Sequence, residues 1–378
     1  MKVEFNRAVL LQLLDQQADK AVTLADKFPK YRDWQENRSN PTLNQLTQLA
    51  KFFQIPFGYF FLQNLPQRNY PIPHYRTNIH GNFRPSDDLL ETIKTLEKRQ
   101  EWAKDLLADN ELPLSFANAL TVKSSVSEAA GMIRQLLNVN PRWSHQELIH
   151  NWSDAFRFLL ARAEDAGIFV VVNGVVNNNT RRVLDVNEFR GFVLYDRFAP
   201  FIFINNNDFI SGKIFTIIHE IAHILIGQSA SFDYQRLIPS HVEVEEFCDA
   251  VAAEFLVPEK LIEQKVAEIG TDYNALSSYF KVSRVVIARR LLDTGIITRS
   301  QFFVAYRSFQ SYLGEQSAQA SKGGNFYNTA PYRISKSFFN LVYASVKQNK
   351  LLYRDAFRLT GLSPKAFDGY VKEHYLQS

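Results

Sequence analysis

The stretch GKIFTIIHEIAHILIG, residues 212–227, decides how the chain is read. It is apolar nearly all round: Ile214, Phe215, Ile217, Ile218, Ile221, Ile224, Leu225 and Ile226 leave no polar face, so as a helix it must be buried. Inside it stand His219, Glu220 and His223, in the spacing HExxH. Residues four apart on a helix share a face, with Cβ atoms about 5–6 Å apart. Both imidazoles can then reach one zinc ion at about 2.0–2.1 Å. Glu220 sits beside them, placed to take a proton from an attacking water. The blander alternative is a pair of histidines satisfied in a core. Burying two imidazoles and a carboxylate is costly unless something compensates them, and a cation does. With eight histidines in the chain, a chance HExxH is on the order of a 1% event.

Such a site needs a third protein ligand and one open position. A glycine at position 226 and a histidine at 229 would supply it in the metzincin manner, but the chain has Ile226 and Ser229. The next candidate is EVEEFCDAVAAEFLVP (243–258), whose helical apolar face is Val244, Phe247, Cys248, Val251 and Phe255. At roughly 100° per residue, Glu245 lies on the flank of that face with Asp249 and Ala252, while Glu246 points to solvent. Glu245 is therefore the expected ligand. Asp249, one turn on, is placed to accept the spare ring N–H of a ligating histidine; otherwise it merely decorates the helix flank. His241 is the rival third ligand, but it precedes the helix.

Outward from this pair of helices the pattern changes. IFVVVN (168–173), GFVLY (191–195) and FIFIN (201–205) read as strands, rich in β-branched and aromatic residues and bounded by Asn clusters. Before them, helices are expected at Asn6–Gln17, from Asp19 to Phe28, around Trp34 and after Thr42, with the apolar run IPFGYFFL (55–62) packing against the next domain. A proline-rich connector spans 64–78. Ser86 then caps a long helix to about Asp109, followed by helices at 126–138 and 145–165. Residues 259–378 are mostly helical. Within them KVSRVVIARRLL (281–292) has the look of a recognition helix, with Arg284, Arg289 and Arg290 able to face phosphates, although core plus a basic surface is the commoner meaning. Residues 330–378 look like a small helical cap.

The whole chain has 378 residues, 46% hydrophobic and 22% charged, with 31 Phe, 16 Tyr and 4 Trp; that composition builds cores and excludes general disorder. Cys248 is its single cysteine, which excludes a disulfide framework and a cysteine zinc ribbon and fits a reducing compartment. No run of about 18 apolar residues could span a membrane, and the N-terminus lacks the look of a secretory signal, so a cytoplasmic protein is expected. The net charge of +4 is too small to imply nucleic acid, though residues 1–80 hold ten Lys/Arg against six Asp/Glu.

FTIIHEIAHILIG (215–227) followed by EEFCDAVAAEFLVP (245–258) resembles the ImmA/IrrE metallopeptidases. Their pattern pairs an FTxxHExxH helix with a helix reading Glu-x-x-Ala/Cys-Asn/Asp that ends in Pro. RGFVLYDRFAPFIFIN (190–205) is similar to the family's strand pair. The resemblance implies an α+β fold: a mainly helical multidomain chain around a minimal zincin-like core of small sheet, HExxH helix and ligand helix. It implies Zn2+ held by His219, His223 and Glu245, Glu220 as catalytic base, and Asp249 where the family usually has Asn. The activity implied is that of a metallo-endopeptidase of narrow specificity. Its protein substrate would be a regulator, typically a repressor whose cleavage switches on a phage, mobile-element or stress programme. A second oxyanion donor is expected but not assigned by the sequence: Tyr234, Arg236 and His241 lie on the intervening loop and none carries a distinguishing signal. An extended substrate could add to a sheet edge at 191–195 or 201–205.

The flanks resemble larger members in which an Xre-type helix-turn-helix precedes the peptidase. The expected organisation is an Xre-like helical module at 1–66, a helical linker domain at 67–165, the zincin-like core at 166–260 and a helical C-terminal domain at 261–378. One departure speaks against DNA binding: only eight residues separate Ala25 from Trp34, about four fewer than such modules commonly have. The alternative role is an antitoxin or transcriptional regulator of a toxin-antitoxin or mobile-element system, acting by binding a cognate toxin or DNA.

Overall fold

The structure is a computed structural model that describes residues 2–16, 24, 27–53, 55, 57–62, 85–109, 113–227, 242–316 and 332–375. The chain divides into two compact units, residues 1–69 and 70–378.

In the first unit, α1 (Arg7–Gln16), α2 (Tyr31–Gln35) and α3 (Leu43–Phe52) surround a core of Val9, Leu10, Leu13, Trp34, Leu46, Leu49 and Phe53. Thr42 starts α3 with a reciprocal cap, its side chain accepting from Gln45 N–H while the Gln45 side chain accepts from Thr42 N–H. The run 55–62 contributes side chains to this core. Ile55 and Phe60 are buried in it, and Phe60 meets Phe5 edge-on at 5.9 Å. Of the helix expected from Asp19, Leu24 and Phe28 are buried, while residues 17–23 and 25–26 lie outside the described residues. The segment around Trp34 forms only five helical residues, about one and a half turns.

The second unit is built on a three-stranded sheet of order β1-β3-β2, from β1 (Phe169–Asn173), β2 (Gly191–Leu194) and β3 (Phe201–Asn205). β3 is central, running parallel to β1 (Phe169↔Phe201) and antiparallel to β2 (Leu194↔Phe201). All three strands are buried on both faces, which their near-continuous apolar sequences require. Side-chain alternation splits the core in two. Val170, Val172, Val193, Ile202 and Ile204 face one way; Phe169, Val171, Phe192, Leu194, Phe201 and Phe203 face the other.

The aliphatic face is covered by α6 (Trp152–Asp165) and α7 (Ile210–Ile226), with α5 (Val126–Leu136) and α8 (Val242–Leu256) packed beyond. Every residue of α7 from Lys213 to Ile226 is buried. Each buried Ile or Leu contributes about 1.5–3 kcal/mol, so the helix is anchored by its apolar residues alone. The aromatic face is covered by α4 (Asp87–Ala108), capped by Ser86 as expected, and by C-terminal helices. The elements between α8 and those helices are α9 (Glu259–Ile269), α10 (Tyr273–Phe280), α11 (Arg284–Asp293) and α12 (Arg299–Gln316). Then come α13 (Lys336–Lys347), α14 (Tyr353–Thr360) and α15 (Pro364–Tyr375). Phe338 of α13 packs edge-on against Phe169, Phe201 and Trp102, so the C-terminal cap sits on the side of the sheet away from α7.

Of the three arginines in 281–292, Arg290 does not face outward. It is buried, pairs with the Glu254 carboxylate and donates to Val257 O at 3.0 Å. Arg289 pairs with Asp293 at 2.8 Å and the Arg284 guanidinium lies 5.1 Å from the Phe309 ring. The segment is core plus paired surface. Among the described residues, no helix is long and apolar enough to cross a membrane.

Gly227 ends α7 at φ +69°, and a Cβ there would lie 2.2 Å from Asn118 Cβ. Gly361 ends α14 in the same left-handed conformation, at φ +70°, but a Cβ there would meet nothing nearer than 3.7 Å. Gly361→Ala should cost about 1–2 kcal/mol, the left-handed penalty alone. Gly227→Ala should cost clearly more, read as a larger drop in thermal midpoint.

Candidate metal centre

α7 and α8 pack side by side, and their facing sides carry the site. His219 Nε2 and His223 Nε2 are 3.1 Å apart. Glu245, in the first turn of α8, places one oxygen 3.3 Å from His219 Nε2 and the other 3.4 Å from His223 Nε2. Two donors bound tetrahedrally at about 2.0–2.1 Å stand about 3.3 Å apart, close to the separation of the two imidazole nitrogens and of each nitrogen from one of the two Glu245 oxygens. Glu246 is exposed, as the helical period implied. His241, Tyr234 and Arg236 lie outside the described residues.

The rest of the cluster supports the same geometry. His219 and His223 are 5% and 0% exposed. Asp249 Oδ1 is 3.0 Å from His219 Nδ1, which orients the ring with Nε2 toward Glu245. Burial pulls the His219 imidazolium down, but hydrogen bonds to Asp249 and Glu245 and the nearby Glu220 charge outweigh it and hold the pKa at about 9. The carboxylates that retain a proton there would equally retain a metal cation. Burial, reinforced by the charges of Glu245, Glu220 and Asp249, pushes the Cys248 thiol up, so it stays protonated and outside the donor set.

Glu220, 3% exposed, borders a small cleft formed by Arg190, Gly191, Phe215 and Thr216 together with His219 and Glu245. Gly191 opens β2, and a Cβ there would stand 2.4 Å from Thr216 Cγ2, 2.8 Å from Phe203 O and 3.6 Å from Glu220 Oε1. Only glycine lets the strand lie this close to the helix. β2 is an edge strand, whereas β3 is paired on both sides; of the two edges expected for substrate, 201–205 is ruled out by the strand order. Gly191, Thr216 and Arg190 escaped the sequence reading, although a glycine at the head of a strand-like run was a signal of close backbone approach.

An HExxH helix facing a glutamate on the next helix, beside a small sheet, defines a zincin-like metallopeptidase domain. Residues 163–292, about a third of the chain, match the Peptidase M78 family model, described as the IrrE N-terminal-like domain. That match supports kinship with the ImmA/IrrE peptidases over this segment and implies a metal. Residues 334–373 match a domain of unknown function (DUF8813). No curated protein matches the chain.

Asp249→Ala should weaken metal binding about 10–100-fold, measured with Zn2+ against a competing chelator. Asp249→Asn keeps an oxygen to accept the ring N–H and should retain most of the affinity.

Proposed function

We propose that the protein is a zinc-dependent endopeptidase of narrow specificity, with His219, His223 and Glu245 as the zinc ligands and Glu220 as the catalytic acid–base. The observation that carries this reading is the convergence of three side chains beside a buried glutamate: 3.1 Å between the two imidazole nitrogens, and 3.3 and 3.4 Å from each to a different oxygen of the Glu245 carboxylate. Zinc so held supplies Lewis acidity and brings the pKa of a water toward neutrality.

The remaining chemistry belongs to the chain. The Glu220 carboxylate takes one proton from the attacking water while the water oxygen bonds to the peptide carbonyl carbon. Glu220 then delivers that proton to the amide nitrogen as the C–N bond breaks. Its low exposure removes competing solvent protons and strengthens its interaction with nearby charge. Asp249 fixes the His219 ring through Nδ1. An extended substrate segment pairs with the outer edge of β2, and Gly191 sets that edge beside Glu220. Such pairing recognises backbone; the narrow cleft leaves discrimination to the side chains that can pass Arg190 and Phe215.

The protein substrate follows from the peptidase match, and a repressor-like regulator from the resemblance of 215–258 to the ImmA/IrrE pattern. In this reading 166–260 is the catalytic portion, with 1–66 and 67–165 before it and 261–378 after it in sequence. The single, buried cysteine suits a cytoplasmic site of action. The antitoxin reading draws no support from the matches.

Zinc content and cleavage of a proteome-derived peptide library, read by mass spectrometry, test the scheme together. Wild type, Glu220→Gln and Glu246→Ala should each carry about one zinc per chain, and Glu245→Ala close to none. Glu220→Gln should lose cleavage while keeping its metal. A Glu246→Ala protein without zinc beside a loaded Glu245→Ala protein would overturn the ligand set; cleavage retained by Glu220→Gln would overturn the mechanism.

A further inference from the structure

The aromatic side of the sheet holds a second cavity, of about 370 Å³, away from α7. Its wall comes from α4, the end of β1, the loop after it, and the segments around Arg333 and the end of α14. Among the described residues no aspartate or glutamate lines it, yet Lys98, Arg99, Arg333 and Arg358 all do. Arg99 forms the floor and is 6% exposed. It donates from Nε to Leu359 O at 2.9 Å and from Nη2 to Thr360 O at 3.2 Å, and its guanidinium lies 5.9 Å from the Phe338 ring. Arg333 is half-buried in the wall, while Lys98 and Arg358 are exposed at the mouth, the Arg358 guanidinium 3.8 Å from the Asp355 carboxylate outside the lining.

A guanidinium has five N–H donors, and Arg99 places two of them on carbonyls at the end of α14. That helix end is worth about half a negative charge, which leaves the cluster strongly cationic. Burial pulls Arg99 down to about 10, with no carboxylate to offset it, and burial also lowers Arg333. The contrast is within the same chain. Arg290, equally buried, is paired with Glu254. Where that arginine serves packing, the fold supplies its counter-charge.

We propose that this cavity binds a small phosphorylated molecule, its phosphoryl group held by Arg99 and Arg333 and closed over by Lys98 and Arg358. A phosphate's negative charge complements a cavity lined by these cations, and planar guanidinium forks match its oxygens. The volume admits a nucleotide-sized molecule, and the Asn178 and Thr95 side chains on the wall add polar contacts for the rest of it. Neither matched segment contains the whole site: Lys98, Arg99 and Arg333 fall outside both, and Arg358 lies in the segment of unknown function. The proposal does not depend on the peptidase reading.

Calorimetric titration of the full chain with inorganic phosphate and with AMP, against sodium chloride at equal ionic strength, tests it. Both probes should bind the wild type and raise its thermal midpoint, with AMP the tighter if the cavity takes the nucleoside as well. The Arg333→Gln/Arg358→Gln double variant should bind about tenfold more weakly or worse, and Arg99→Gln should not bind. Glu245→Ala should bind as the wild type does, which separates this cavity from the metal centre. Should Arg99→Gln fail to fold, the double variant decides alone. Absence of binding, a chloride effect equal to that of phosphate, undiminished affinity in the double variant, or loss of binding in Glu245→Ala would overturn the proposal.

Discussion

The arrangement depends on one constraint: α7 is buried over its whole apolar length and carries two imidazoles and a carboxylate down with it. The eight large apolar side chains of the helix supply on the order of 10–20 kcal/mol of gross burial free energy. Desolvating an ionisable group costs several kcal/mol, so the apolar term wins and the helix stays buried whatever the charges prefer. The ionisable groups must then find compensation where the helix leaves them. Asp249 and Glu245 provide part of it, and the spacing of the donor atoms leaves a place for a cation to provide the rest.

The sheet turns this into a positioned site. Its aromatic face is closed by α4 and α13, and its aliphatic face by α6 and α7, so the strands are held from both sides and only β2 presents an edge beside the glutamate. The closure is tied by a buried carboxylate. Glu164, at the end of α6, accepts from Ser335 Oγ at 2.7 Å and from Lys336 N–H at 3.0 Å, where α13 begins. Burial pushes the Glu164 pKa up, while these hydrogen bonds and the helix N-terminus favour its charged form. The C-terminal segment thus buttresses the strands from behind and leaves the metal face to α8.

The candidate metal centre was legible because it is written in helical periods. The four-residue spacing of His219 and His223 and the 100° step that separates Glu245 from Glu246 are local properties, and the structure reproduces both. The three strands were legible as apolar runs, but their order was not, because pairing is a long-range choice that no single strand encodes. Hence β3 could not be recognised as the centre of the sheet, nor Gly191 as the residue that sets β2 against Thr216. Arg290 failed for the same reason. Its neighbours in sequence suggested a basic surface, whereas Glu254, 36 residues earlier, draws it inside. The run 55–62 was recognised as buried, yet its partner Phe5 lies 55 residues before Phe60 and could not be named.

Asking what each buried group still lacks gives opposite answers on the two sides of the sheet. On the aliphatic side, carboxylates and imidazoles converge and the missing charge is positive. On the aromatic side, Arg99 and Arg333 line one cavity with no aspartate or glutamate among its described lining residues, and the charge that would complement them is negative. The packing forces are the same in both places, since each site is held by apolar residues that offset desolvation regardless of what the polar atoms gain. What differs is which partner the chain withholds. Arg134 and Arg290 converge on Glu254, so the fold is able to place a carboxylate against buried arginines. That among the described residues it sets helix-end carbonyls and the Phe338 ring, and no carboxylate, against Arg99 makes the character of that cavity a property of the architecture and not of chance composition. The two sites meet at the sheet: β1 ends at Asn173 in the wall of one, and β3, bonded along its length to β1, leads through residues 206–209 into the helix that carries the other.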